Sequence, residues 1–98
     1  MSGGHFNGSE FSIMNISDEI QNLIRSNGNK ELDGWGYPLY SDFSPEVIEK
    51  FKEAVVALDK AYVYARRVDY LVSGDDGPET FLERLSEELK EVEDKYAK

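Results

Sequence analysis

Cysteine is missing from this chain altogether, which excludes disulfides, thiolate metal sites and a cysteine nucleophile and makes a reducing compartment the expected home. Histidine occurs once, at His5, inside a glycine-rich arm; a Ser-His-Asp arrangement would have to work from that arm, although catalytic groups perform best on rigid elements. Basic residues are scarce as well: eleven Lys and Arg stand against twenty Asp and Glu, a formal net charge of −9. Neutralising phosphates takes a basic face, so neither direct nucleic-acid binding nor an anionic membrane surface is expected. No run approaches the ~18 consecutive apolar residues of a membrane span, and the first residues carry no secretory pattern. These absences together predict a soluble cytoplasmic protein that is not an enzyme and holds no cofactor or metal. Its 98 residues suit one small domain with one core.

What is present is helical periodicity. The stretch 44–72 opens with Ser44 as N-cap, Pro45 at the first helical position, and Phe43 placed to staple against Ile48. No Gly or Pro interrupts it before Gly74, so it predicts a helix of roughly 42 Å at 1.5 Å per residue. Ile48, Phe51, Val55, Leu58, Tyr62 and Ala65 form one apolar row, with Val47, Ala54, Ala57, Ala61, Tyr64, Val68 and Leu71 beside it. That surface is wider than one neighbouring helix covers, so two further elements, or one element and a partner chain, are expected against it. A shorter helix is predicted over 15–26, striped by Ile16, Ile20, Leu23 and Ile24, with Asp18 and Glu19 at the positive end of its dipole and Asn27-Gly28 as its stop. A third is predicted over 78–96, striped by Phe81, Leu82, Leu85, Leu89, Val92 and Tyr96. It follows the tight Ser73–Pro78 connection as the antiparallel half of a hairpin. The expected fold class is therefore all-α: one long central helix with an antiparallel helical hairpin, preceded by an N-terminal arm over 1–14 that permits a short extended piece at Phe11–Ile13.

Between the first two helices lies the loop 27–43, where Gly34, Gly36 and Pro38 break regular structure and Trp35, Tyr37, Tyr40 and Phe43 crowd together. Such rings either lid one end of a helical core or form a contact surface, Trp and Tyr being enriched among binding hot spots. Trp35, Tyr37 and Tyr40 are the candidate partner-binding residues. Gly3 and Gly4 would let backbone N–H groups approach an anion, but no strand or basic residue accompanies them. Asp75 and Asp76 resemble half a calcium loop without its remaining oxygen ligands, and read better as a cap and turn. Asp69 falls on the row of Phe51, Leu58, Tyr62 and Ala65; an inward carboxylate there needs donors, for which Arg66, Tyr62, the Ser2–Gly4 backbone or Ser73 are candidates.

The segments Ser2-Gly3-Gly4-His5-Phe6, Asp18-Glu19-Ile20, Ser44-Pro45-Glu46 and Asp69-Tyr70-Leu71-Val72-Ser73-Gly74-Asp75-Asp76-Gly77 resemble a group of small uncharacterised bacteriophage and prophage proteins. The resemblance covers most of the chain, 27–43 being the poorest match. Similar proteins often carry an aromatic soon after the His-Phe pair and a Trp beside the turn Asp, where this chain has Gly8 and Tyr70. The resemblance supplies no catalytic residues. It implies an accessory protein working inside an infected or lysogenic cell, with a host protein such as a defence nuclease as the partner to inhibit. The alternative is a homo-oligomer that sequesters a small nucleotide signal with Ser2, Gly3, Gly4, His5, Phe6 and Asp69.

Overall fold

The computed structural model describes residues 6–97, which form α1 (Phe11–Ser26), α2 (Pro45–Val72) and α3 (Pro78–Tyr96). The fold is all-α; the only pairing of extended backbone among the described residues is an isolated bridge between Leu32 and Pro38.

Local chemistry explains the ends of α2. Ser44 Oγ accepts the Val47 N–H at 3.3 Å and Pro45 takes a position whose N–H has no partner in any helix. The Phe43 ring meets Phe51 edge-on at 5.4 Å, one turn beyond the Ile48 contact that the sequence suggests. At the other end Gly74 adopts φ +86, the Gly74 N–H bonds Leu71 O at 3.2 Å and the Asp75 N–H bonds Tyr70 O at 2.8 Å. This paired closure of the last carbonyls requires a left-handed residue and explains the glycine. Pro78 then starts α3 directly.

α1 begins four residues earlier than the arm 1–14 and the helix 15–26 allow, at Phe11 rather than Asn15. The turns Ser9 N–H to Phe6 O, Phe11 N–H to Gly8 O and Ser12 N–H to Ser9 O wind the chain straight into it. Alternation at Phe11 and Ile13 suggests extended backbone, but both residues are helical, and the Phe11 ring lies 5.9 Å from that of Tyr62 on α2. Asp18 and Glu19 accordingly sit beyond the first turn, which contains no acid.

α2 packs against both α1 and α3, while α1 and α3 pack on α2 and not on each other. Residue order along the contacts (Phe6 with Asp69, Phe11 with Tyr62, Ser17 with Asp59) makes α1 antiparallel to α2. The result is a layer of helices measuring 56 × 32 × 14 Å. Its radius of gyration is 17.6 Å, against about 13 Å for a compact domain of this length. Val55 and Val63 are the only buried apolar side chains among the described residues. They share an i, i+4 row with Asp59 and Arg67, so the deepest line of α2 alternates aliphatic and charged groups. Leu82, counted from the sequence in the stripe of α3, is mostly exposed.

Candidate interaction surface

The loop after α1 is pinned at its base by one side chain. Asn27 Oδ1 accepts the Phe43 N–H at 2.7 Å and Asn27 Nδ2 donates to Phe43 O at 3.1 Å, while the Gly28 N–H reaches Ser41 O at 2.8 Å. Within it the chain doubles back as a small hairpin. The Asp33 N–H bonds Tyr37 O at 2.8 Å, the Leu39 N–H bonds Glu31 O at 3.1 Å, and Gly36 takes the left-handed conformation that a three-residue hairpin tip requires. The Asp33 carboxylate accepts the N–H groups of both Trp35 and Tyr37, at 2.8 and 3.0 Å. An aspartate turn of this kind holds the tip by local bonds alone.

Trp35 stands at that tip, 87 % exposed, with Tyr37 at 68 % and Tyr40 at 38 %. Leu32, Leu39 and Phe43 are exposed around them. Trp35 and Tyr37 therefore do not lid the helical core, whereas the Phe43 ring at the base of the loop rests against Phe51 of α2. The local order was only partly legible: glycines and proline announce a loop, but the hairpin depends on Asp33 accepting two N–H groups.

The second candidate set divides. Ser2, Gly3, Gly4 and His5 lie outside the described residues. Phe6 and Asp69 come together: the Phe6 N–H donates to Asp69 Oδ1 at 3.0 Å, and Asp69 is 4 % exposed. Arg66, a candidate donor from sequence, turns to Tyr70 instead, its Nε 3.0 Å from the Tyr70 hydroxyl. That hydrogen bond holds the guanidinium still more firmly protonated than usual. Asp69 is about 36 Å along α2 from Pro45, so the aromatic hairpin and the Phe6–Asp69 contact occupy opposite ends of the layer.

Two buried polar nodes went unread in the sequence. In the first, Asp59 accepts the Ser17 hydroxyl at 2.7 Å and, through its other oxygen, the Tyr96 hydroxyl, tying all three helices together. In the second, Arg67 Nη1 bonds Asp76 Oδ2 at 3.2 Å, its guanidinium lies over the Tyr70 ring at 4.5 Å, and Glu88 Oε1 stands 3.4 Å from Nε in an ion pair without hydrogen-bond alignment. The available signal was the four-residue spacing of Val55, Asp59, Val63 and Arg67. No cluster of three or more His, Cys, Asp or Glu among the described residues is placed to hold a metal ion. An open groove of about 580 Å³ runs past the end of α3, lined by Gln21, Ile24, Arg25, Lys52, Val56 and Tyr96. No helix among the described residues is long and apolar enough to cross a membrane.

Burial, and then the hydrogen bond to Asp59, pushes the Tyr96 hydroxyl up to about 12 from its usual 10. Because the folded hydroxyl holds its proton to higher pH than the unfolded one, its contribution is intact below pH 10 and is lost as the pH rises through about 12. The melting temperature of the wild type is expected to fall faster over that window than that of Tyr96→Phe. Parallel curves for the two proteins would contradict the assignment.

Comparison with protein-family models, with curated proteins and with solved structures found no match.

Proposed function

We propose that this is a non-catalytic binding protein that captures and inhibits a host protein through the Trp35 hairpin, with Tyr37 and Tyr40 completing the contact. The supporting observation is that the single Trp of the chain is held out in solvent at a hairpin tip whose backbone is already tied by Asp33. Exposing an indole costs solubility and contributes nothing to a core. Ordering it beforehand lowers the conformational cost of binding, which is how small contact loops gain affinity. The phage resemblance supplies the context of a host target such as a defence nuclease. Duplex mimicry is not the mechanism favoured: duplex DNA presents one charge per ~1.7 Å, and the charges of α3 are mixed in sign and far sparser. Shape and aromatic contact carry this reading.

The test is Trp35→Ser. It is expected to abolish capture of the host target while helicity and melting temperature stay near wild type, because the ring leaves no cavity behind. Trp35 also reports binding directly, since its fluorescence should shift to the blue when a partner covers it. Undiminished capture by the variant would overturn the proposal, and so would a drop of many degrees in melting temperature.

A further inference from the structure

We infer that the broad apolar side of the helical layer opposite the Asp59 node is a self-association surface, covered by a second copy of this chain in a two-fold dimer. On α2 the row Val55, Asp59, Val63 and Arg67 turns inward. At about 100° per residue, Ala57, Ala61, Tyr64 and Val68 lie on the opposite side of the helix. Ala57 and Ala61 are exposed, Tyr64 is 50 % exposed and Val72, at the end of the same row, 53 %. From Ala54 to Val72 this row carries no charge.

α1 extends the same surface. Met14 lines a small cavity with Glu88 and Val92 of α3, and Gln21 lines the groove beside Tyr96, so that flank of α1 faces the α3 side. Ile16 and Leu23 project from its other flank and are exposed. With α1 antiparallel to α2, they point to the same side of the layer as Ala57 and Ala61.

Three observations select a second copy as the occupant. The layer is 14 Å thick with two buried aliphatic side chains, and the uncharged row of α2 from Ala54 to Val72 has neither α1 nor α3 packed over it. A second copy is the one cover that is present wherever the chain is made. Second, the layer measures 56 × 32 Å along its two long axes, an outline large enough to hold the ~800 Å² per partner that a stable interface buries. Third, copies bearing −9 each repel wherever their charged faces meet, whereas this neutral row can face itself. With the two-fold axis perpendicular to α2, the helix crosses its counterpart antiparallel, and alanines at 57 and 61 let the two backbones approach.

Light scattering or sedimentation of the wild type at micromolar concentration is expected to give the mass of two 11.2 kDa chains. Ala61→Glu sets like charges against each other across the axis and should weaken association about 100-fold, while Trp35→Ser leaves the dimer intact. Should Ala61→Glu fail to fold, the cysteine-free background offers an independent measurement. Single cysteines at 57, 61, 64 and 68 are oxidised in turn, and at least one is expected to form a covalent dimer, whereas Lys52→Cys, beside the groove, forms none. A wild-type mass of one chain overturns the inference. So does a dimer indifferent to Ala61→Glu in which none of the four positions cross-links.

Discussion

Arg67→Ala lowers the melting temperature more than any other single substitution expected here, by on the order of 15 °C for a loss of about 3 kcal/mol. The guanidinium is 4 % exposed and serves three groups at once: Asp76 at 3.2 Å, Glu88 at 3.4 Å and the face of Tyr70 at 4.5 Å. Removing it strands the Asp76 carboxylate, whose side chain is 12 % exposed, in a site with little water. The loss comes chiefly from that stranded charge and only partly from the missing attraction, since a well-packed apolar replacement of a complete buried pair is often nearly neutral. Two further variants separate these contributions. Arg67→Met keeps the packing of the stem and should remain strongly destabilised, whereas adding Asp76→Asn to it should restore a good part of the loss. If the double variant melts no higher than Arg67→Met, the stranded charge is not the cause. Thermal unfolding followed by circular dichroism measures all three.

Asp59→Ala is expected to follow, at about 2–3 kcal/mol, because it deprives the buried Ser17 hydroxyl and the half-buried Tyr96 hydroxyl, on different helices, of their acceptor. Ser17 is fully buried, and its remaining neighbour, Gln21 Nε2, reaches it at a long 3.5 Å as a donor. Tyr96 loses the bond that fastens the end of α3 to the middle of α2. Asp59→Asn keeps one carbonyl oxygen and should cost about half as much. Hydrogen exchange sharpens the test: with Asp59 replaced by Ala, the last turns of α3 should exchange faster while the Ser44-capped start of α2 is unchanged. Uniform acceleration over all three helices would mean that Asp59 supports the layer as a whole and not the docking of α3.

Much of the helical plan was legible because it depends on short-range chemistry. Ser44 and Pro45 start α2 where local hydrogen bonding and a fixed φ favour it, and Gly74 ends it where only a left-handed residue closes the last carbonyls. Pro78 to Tyr96 follows with bounds that match the expectation. The start of α1 was not legible, since the turns that lead into it at Phe6–Ser12 carry no strong sequence signal and the Phe11 ring meets Tyr62, fifty-one positions away. Asp69 could be seen to need donors from its place on an apolar row, yet the row gives several candidates and the Phe6 N–H supplies one only after the chain has turned at Gly8.

The exposure of Trp35, Tyr37 and Tyr40 depended on the tertiary structure in another way. Composition admits both a lid and a contact surface, and the Asp33 hairpin, which leaves Trp35 and Tyr37 in solvent, shows that these two rings do not cover the core. By itself the amino-acid sequence determined helix type, the caps and turns around α2 and α3, and the excess of acid, because each follows from neighbours within a turn or two. Only the tertiary structure decided that the inner row of α2 would hold Asp59 and Arg67 among its valines, and that its opposite side would lie bare. Burial depends on which helices arrive on which side, and no local pattern carries that.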